Sequence, residues 1–319
     1  MEKRPFIIDC DTGTDDAIGI VAALNTPGMD IRAITTVAGN VDLCYTAPNT
    51  LNLVRMLGFD VKVAKGSPCP IYRVLKEVRA KPAPGEINTH GDTGFGDVYL
   101  PECGLPFYEK NAVETIYEEA VACGGELEII AVGPLTNIAH AIMTYPELKE
   151  GLIKHITFMG GAAKGGNTTA VAEFNILCDP EAAHIVLHSG IPCTMVGLDV
   201  TERAAVSDAD CDFIRTIDTP DAQIVADLLD FMRGRRDEFG GEDTLMHDAL
   251  AIAAAILPGV VDTKMYYVDA ECAGKYTFGH TFVAFDNRLG EFTPNCNVAL
   301  DVHMDIFTEW LKKAVAKEL

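Results

Sequence analysis

Residues 6–17, FIIDCDTGTDDA, decide the fold, because an apolar run passes directly into a cluster of acids and then into a helical segment. The run PFIIDC is typical of a buried β-strand, and DDAIGIVAALN has the period of a helix. In open α/β sheets, ligands bind outside the carboxyl ends of the strands. The residues that directly follow each strand are therefore the first place to look for a site.

The same alternation of strand and helix continues along the chain. Further strands are predicted at DIRAITTVA, LEIIAVG, HITFMG and IPCTMVGLDV, with helices at APNTLNLVRMLG, LTNIAHAIM and DPEAAHIVLHSG. The last third adds YYVDAECAG, HTFVAFD and CNVALDV as strand candidates and a final helix near Met304 to Glu318. We therefore predict an α/β fold with a mostly parallel, Rossmann-like central sheet flanked by helices. Its active site would lie at the carboxyl ends of the strands.

Length and composition favour one large domain over residues 1–319. The chain is 48% hydrophobic, and no linker-like segment interrupts it. Its 25 basic and 47 acidic residues give a net charge of −22, which repels nucleic acid and anionic membranes. Ten scattered cysteines without a C-x-x-C pair indicate reduced, buried thiols. With no signal-peptide core at the N-terminus, we expect a cytoplasmic protein.

The acids after the first strand are the most concentrated chemical feature of the chain. Asp9, Asp11, Asp15 and Asp16 fall within eight residues. Four carboxylates this close repel one another and resist burial unless a cation lies among them. A hard divalent ion with oxygen ligands would resolve that conflict. The alternative is that Asp15 and Asp16 only favour the dipole of the next helix.

Seven segments, in order, carry a family resemblance. DCDTGTDDA resembles the DxDxxxDD signature of the inosine-uridine preferring and pyrimidine-specific nucleoside hydrolases. TTVAGN, HGDTG, AVGPLTNIA, FMGG, GNTTAVAEFNILCDPEAAHIV and MHDALAI resemble further segments of that family, so the likeness runs from Phe6 to about Val302. Such a protein would hydrolyse ribonucleosides to ribose and a free nucleobase in purine and pyrimidine salvage. It would act as a homodimer or homotetramer.

The resemblance also implies roles for individual residues. A Ca²⁺ ion would be held by Asp11, Asp16, Asp248 and the main-chain carbonyl of Val132, with Asp11 also the general base for a water on the metal. His247 would lie on the nucleobase side as a second catalytic residue. The implied ribose-binding residues are Asp15, Asn40, Met159, Asn167, Glu173 and Asn175.

The chain departs from the family pattern at Thr12 and Thr14, and EDTLM stands before His247 where relatives often have a Gly/Pro- or Ala-rich stretch. The third departure leaves the preferred nucleobase open. His90, in the loop HGDTG, either approaches the nucleobase or serves a turn with Gly91 and Gly94. The loops at residues 67–111 and 233–246 are candidate binding loops. In the second, Phe239, Arg235 and Arg236 either line the base pocket or belong to a solvated helical face.

Two other functions compete with hydrolysis of nucleosides. A haloacid-dehalogenase-like phosphohydrolase also has DxD after its first strand, but Gly13 stands where that motif usually has Thr or Val, and Asp15 and Asp16 would have no role. A nucleoside-binding protein without turnover is the second alternative. Intact Asp11, Asp16, His247 and Asp248 argue against it.

Two motifs elsewhere have ligand-like spacing. His184 and His188 are four residues apart on a predicted helix, which is the spacing of a metal-binding pair. Ile185 occupies the Glu position of H-E-x-x-H, and the sequence supplies no third ligand, so packing or surface histidines are favoured. GGAAKGG lacks the GK[ST] ending of a phosphate-binding loop.

Overall fold

A single eight-stranded sheet organises the computed structural model, which describes residues 3–72, 89–239, 244–286 and 290–319. Its strand order is β3-β2-β1-β4-β5-β6-β12-β9. Neighbouring strands are parallel throughout, except that β9 is antiparallel to β12. The strands are β1 (Arg4–Cys10), β2 (Met29–Thr36), β3 (Lys62–Lys65), β4 (Leu127–Ala131), β5 (Ile153–Met159), β6 (Cys193–Val196), β9 (Val261–Tyr266) and β12 (Cys296–Val302). Two small antiparallel pairs join β7 (Ala205–Val206) to β8 (Thr244–Leu245) and β10 (Val268–Ala270) to β11 (Thr281–Val283).

Helices cover both faces of the large sheet. On one face lie α1 (Thr14–Leu24), α2 (Leu43–Met56), α8 (Asp208–Arg215), α9 (Pro220–Phe239), α10 (His247–Ile256) and α11 (Met304–Ala316). On the other lie α3 (Ala112–Ala122), α4 (Thr136–Thr144), α5 (Phe174–Cys178) and α6 (Pro180–Leu187). The short α7 (Leu198–Thr201) follows β6 directly.

Each face of the sheet has its own hydrophobic core. Side chains alternate across β1, so Phe6 and Ile8 enter one core and Ile7 enters the other. All three are fully buried, which explains the continuous apolar run in the sequence. The expected α/β fold with a mostly parallel, Rossmann-like sheet is confirmed.

The strand order reverses between β1 and β4. From β1 the chain proceeds through β2 to β3 on one side, and then returns to build β4, β5 and β6 on the other. Such a reversal opens a crevice at the carboxyl ends of the two central strands. Asp11 follows β1 and Val132 follows β4, so the acid cluster lies at this switch point.

Close packing of α1 against α10 brings a distant acid to the same place. A Cβ on Gly19 of α1 would lie 3.3 Å from Ala249 Cα and 2.7 Å from the side chain of Ile252, both in α10. A side chain at position 19 would press against the backbone of Ala249, so glycine favours this close approach. Asp248 lies in the first turn of α10, as Asp15 and Asp16 lie in the first turn of α1.

The sequence-based element boundaries need three corrections. The predicted strand IPCTMVGLDV ends at Val196, because Leu198–Thr201 forms α7. The polar strand β3 and the mostly exposed β9 were not predicted, since neither has the apolar run that signals a buried strand. Part of each candidate binding loop, residues 73–88 and 240–243, lies outside the described residues.

None of the ten cysteines, all of which lie within the described residues, forms a disulfide bond. Cys10, Cys178, Cys193, Cys211 and Cys296 are buried, as predicted, but Cys44 is exposed. Within the described ranges, no helix has the length and apolarity needed to cross a membrane.

Candidate active site

Asp9 does not belong to the acid cluster. Its carboxylate accepts hydrogen bonds from Thr35 Oγ1 at 2.5 Å and Asn137 Nδ2 at 2.8 Å, inside the end of the sheet. Burial raises the pKa of Asp9 to about 7, although both hydrogen bonds oppose that shift. The expectation that all four acids surround one cation is therefore wrong for Asp9, which ties β1 to its neighbours.

Asp11 and Asp16 are held by the same turn of backbone. Asp16 accepts hydrogen bonds from the main-chain N–H groups of Gly13 at 2.8 Å and Asp11 at 3.3 Å, so it does cap α1. Asn40, after β2, donates from its main chain to Asp11 Oδ2 at 2.5 Å and from its side chain to Asp16 Oδ2 at 3.1 Å. Asn40 thereby fixes both carboxylates from the neighbouring strand.

Three buried carboxylates meet beside Asp11. Ligand atoms of Asp15, Asp16 and Asp248 lie within 4.8 Å of one another, and Asp15 Oδ2 accepts a hydrogen bond from the main chain of Asp248 at 3.3 Å. Burial, and then the charge of Asp15, raises the pKa of Asp16 to about 7. The same causes raise the pKa of Asp248 well above its usual range. A divalent cation would remove this repulsion.

Two glycines make room for the carboxylate of Asp11. A Cβ on Gly39 would lie 1.7 Å from Asp11 Oδ2, and one on Gly133 would lie 2.6 Å from Asp11 Oδ1. The two glycines follow β2 and β4, the neighbours of β1 in the sheet. No larger residue fits at Gly39 without displacing that carboxylate.

Asn175 connects the next two strand ends. Its Nδ2 donates to the carbonyl of Val132 at 3.0 Å, and to the carbonyl and sulfur of Met159, each at 3.3 Å. Val132 follows β4 and Met159 ends β5, so the predicted residues Val132, Met159 and Asn175 are brought together.

Glu173 and Asn167 hold the segment before α5. The buried Glu173 carboxylate accepts hydrogen bonds from the main-chain N–H groups of Gly161, Asn175 and Ile176. Burial raises the pKa of Glu173 against these bonds. Asn167 is exposed, and its side-chain oxygen accepts from the main chain of Phe174 at 3.0 Å. Both residues therefore shape the loop that carries Asn175.

His90 takes part in a turn, one of the two roles that its sequence left open, and its approach to the nucleobase stays a prediction. Its main-chain carbonyl accepts a hydrogen bond from Gly96 in a turn, while Nδ1 accepts from the main chain of Thr14 at 3.2 Å. This contact places the imidazole at the N-terminus of α1. Burial lowers the pKa of His90, with Asp15 opposing and His247 reinforcing the shift.

His247 lies at the start of α10 beside the acids. Its Nδ1 is 2.8 Å from Oγ1 of Thr201, a buried residue of α7 that was not predicted as part of the site. Burial lowers the pKa of His247, whereas Asp15 and Glu202 raise it. The charge of Asp15 thus acts on both His247 and His90, which belong to two different segments.

Asn137 was also missed. Its Nδ2 donates to Asp9 and to the carbonyl of Thr36 at 3.0 Å, while its Oδ1 accepts from the main chain of Ser67 at 2.8 Å. It therefore joins the ends of β1, β2 and β3 behind the acids. The segment AVGPLTNIA contained it, but nothing in that pattern separates a supporting amide from a packing residue.

Arg235 and Arg236 lie in α9, so the predicted loop over residues 233–246 is wrong for its first part, which is helical to Phe239. Both side chains are partly buried and pair with acids, and the two interpretations of their role stay predictions. Arg236 forms ion pairs with Asp208 and Asp237, and Arg235 forms one with Glu238. The Phe239 side chain lies outside the described residues.

This arrangement is an α/β fold with an acidic site at the switch point of its sheet. The family model of the inosine-uridine preferring nucleoside hydrolases matches residues 6–309. The chain belongs to that family and is an N-ribosyl hydrolase of ribonucleosides. Family membership removes the phosphohydrolase alternative.

Its relatives agree along their whole length. The pyrimidine-specific ribonucleoside hydrolase RihA of Photobacterium profundum is 40% identical over 98% of this chain and 99% of its own. The enzyme of the same name from Salmonella typhimurium is 39% identical over 96% of each chain. Among solved structures, a purine-preferring ribonucleoside hydrolase from Gardnerella vaginalis has a TM-score of 0.88 at 31% identity, with 99% of both chains covered.

Proposed function

We propose that this enzyme hydrolyses the N-glycosidic bond of pyrimidine ribonucleosides to ribose and free base, depending on Ca²⁺ and using Asp11 as the general base. The observation that carries the proposal is the meeting of Asp15, Asp16 and Asp248 at the switch point of the sheet, with Asp11 near enough for its charge to raise the pKa of Asp248. The nucleobase preference is supported by the pyrimidine-specific relatives at about 40% identity.

The donor set fits calcium. Carboxylates of Asp11, Asp16 and Asp248 and the carbonyl of Val132 are hard oxygen ligands, which Ca²⁺ prefers over softer donors. Asp16 and Asp248 are buried acids with raised pKa values, and a cation beside them would compensate their negative charge. When bound, calcium supplies positive charge that lowers the pKa of a nearby water and orients it.

Asp11 is suited to remove the proton from the attacking water. The Asn40 main chain fixes Oδ2, and Gly39 and Gly133, which have no Cβ, leave the space that the carboxylate occupies. The water oxygen then bonds to C1′ of the ribose, the C1′–N bond breaks, and its electron pair leaves with the nucleobase. Fixed geometry of this kind contributes to the rate because little reorganisation is needed.

The ribose would be held by Asp15, Asn40 and Asn175 through its 2′- and 3′-hydroxyls, with Asn167, Glu173 and Met159 around the 5′-hydroxymethyl and sugar face. Within the described residues, the side-chain hydrogen bonds of Asn175 all use Nδ2, so its Oδ1 can accept from a hydroxyl. Contacts that strengthen as the ring distorts would favour the transition state.

His247 is proposed to protonate the departing base, and His90 to contact it. Both imidazoles lie near Asp15, where the charge interactions among the three groups support a shared position over the sugar. A neutral nucleobase leaves only when its nitrogen is protonated or otherwise stabilised.

Incubation with uridine, cytidine, inosine, adenosine and guanosine tests the proposal, with reducing sugar as the readout. We expect ribose release from uridine and cytidine above all, loss of activity on chelation, and recovery with Ca²⁺. Equal release from purine nucleosides would overturn the nucleobase preference alone. Nucleoside binding without ribose release would support the binding-protein alternative and overturn catalysis.

The homodimer or homotetramer, the cytoplasmic location and the role in nucleoside salvage stay predictions. Sedimentation of the purified protein would decide the first of them.

A further inference from the structure

A second cluster of ligand-type side chains lies apart from the acids. His184 in α6 and His188 at its C-terminal end face Asp269 of β10. His184 Nδ1 is 2.7 Å from Asp269 Oδ1, and His188 Nε2 is 3.2 Å from Asp269 Oδ2. A ligand atom from each of the three residues lies within 4.8 Å of the other two. None of these residues contributes to the site described above.

The fold supplies the third ligand that the sequence lacks. The spacing of the two histidines puts them on one face of α6, with ring centroids 4.4 Å apart. Asp269 is 85 residues from His184 in the chain, and only the packing of α6 against the β10–β11 hairpin brings them together. The two histidines therefore do not lack a third ligand for a metal ion.

The spacing of the ligand atoms fits a small tetrahedral ion. Two ligands bound about 2.1 Å from a tetrahedral zinc lie about 3.4 Å apart. His188 Nε2 and Asp269 Oδ2 are 3.2 Å apart, which is close to this value. His184 Nδ1 and Asp269 Oδ1 are 2.7 Å apart, so they would separate by about 0.7 Å on binding the ion. Two imidazoles with one carboxylate suit Zn²⁺, whereas Ca²⁺ takes oxygen ligands.

Supporting contacts already orient the carboxylate. Asp269 accepts hydrogen bonds from the Tyr267 hydroxyl at 3.2 Å and from the main chain of Ala270 at 2.8 Å. Outer contacts of this kind are typical of metal sites, because they fix the direction of the ligand. The His184 and His188 side chains are 48% and 37% exposed, which leaves an open side for a water as fourth ligand.

We propose that His184, His188 and Asp269 bind one Zn²⁺ ion, which clamps α6 to the β10–β11 hairpin. The hairpin in turn supports the loop before α5, since His280 Nδ1 lies 3.1 Å from the carbonyl of Val171 and pairs with Ala172 as a β-bridge. Zinc at this position therefore stabilises the native fold, without taking part in the chemistry.

Titration of the calcium-saturated protein with Zn²⁺, followed by calorimetry, tests the proposal. We expect the unaltered protein to bind one Zn²⁺ ion at this cluster and His188→Gln to bind it at least about tenfold more weakly. Loss of a contact that only orients a ligand already weakens metal binding by about that factor. His303→Gln is the matched control. His303 is also exposed and lies 3.3 Å from an exposed carboxylate, Asp262, but among the described residues it is not part of a cluster with a second histidine.

Thermal unfolding supplies an independent readout. Zinc is expected to raise the midpoint of the unaltered protein and of His303→Gln, but not of His188→Gln. Cobalt in place of zinc should show no intense sulfur-to-metal absorption, since no cysteine is among the ligands. Equal zinc affinity in the unaltered protein and His188→Gln, absence of zinc binding, or a thiolate signal would each overturn the proposal. If the midpoint of His188→Gln falls but zinc does not raise the midpoint of the unaltered protein, the three side chains form only an ion pair, and the proposal is overturned.

Discussion

Asp11 is expected to be the residue on which hydrolysis depends most. Asp11→Asn removes the base but keeps the side-chain shape and an oxygen that can accept from the Asn40 main chain. We expect kcat to fall by about 10²- to 10⁴-fold, with a further loss from weaker calcium binding. Ribose release checks the rate, and the thermal midpoint checks the fold.

Asp60→Asn is the control for charge, because Asp60 is exposed and forms an ion pair only with Arg55 among the described residues. It removes the same charge and should leave turnover unchanged. Normal turnover in Asp11→Asn would disprove its role as base.

The chemistry of the leaving group tests whether His247 acts as the general acid or in another role. His247→Ala should slow a natural nucleoside by about 10²-fold or more, because the departing base needs a proton. A riboside that releases nitrophenolate, a stable anion, should be nearly unaffected. Equal slowing of both substrates would point instead to damage at Asp248, the next residue in α10.

The lowered pKa of His247 adds a pH dependence to the same experiment. Burial favours the neutral imidazole, so His247 loses its proton at a pH below the ordinary imidazole pKa of 6.5. Activity on natural nucleosides should therefore fall as the pH rises and His247 loses its proton. Hydrolysis of the nitrophenyl riboside should not show this fall. Parallel pH profiles for the two substrates would contradict the acid role.

At the scale of elements, the site depends on how closely the ends of β1, β2 and β4 approach. Gly39→Ala tests this, because the new Cβ would lie 1.7 Å from Asp11 Oδ2 and must displace it. A catalytic group misplaced by about 1 Å costs about 10²-fold, so we expect kcat to fall by at least that factor. Steady-state kinetics gives the measurement.

Gly234→Ala is the matched glycine control. A Cβ at Gly234 in α9 would meet nothing within 4 Å. Alanine is the better helix former, so this variant should keep full activity and gain about 0.5–1 kcal/mol in free energy of unfolding. If Gly39→Ala were as active as the unaltered protein, the strand ends would not approach Asp11 as closely as described.

At the scale of the whole molecule, calcium should stabilise the fold, and more so at higher pH. In the metal-free protein the pKa of Asp16 is raised from 3.8 to about 7, so the folded state keeps a proton that the unfolded chain has lost. The free energy of unfolding of the metal-free protein therefore falls as pH rises between these values. Calcium binds the ionised carboxylates, so its stabilising effect grows over the same interval.

Thermal unfolding with calcium and with a chelator, each at about pH 5 and about pH 8, checks this linkage. The midpoint difference between the two conditions should be larger at about pH 8. A difference that is the same at both pH values would mean that the acids are not the calcium ligands.

Local sequence determined much of this protein. The apolar runs and the period of the helices were sufficient for the α/β fold, because buried parallel strands and amphipathic helices leave distinct patterns. Asp179 followed by Pro180 is a typical start of a helix, and in the structure the Asp179 side chain accepts from the main chain of Ala182 at the start of α6. Asp11, Asp15 and Asp16 could be named as site residues since they directly follow a strand.

Tertiary structure alone decided which of these residues meet. Asp9 is as acidic and as near in sequence as Asp11, yet Thr35 and Asn137 hold it inside the sheet. Thr201 and Asp269 carried no local signal, because the partners of each, His247 and His184, are brought to them by packing between elements far apart in the chain. Periodicity reports the local backbone and the face that is buried, but contacts between distant side chains depend on the register and approach of whole elements, which no single segment encodes.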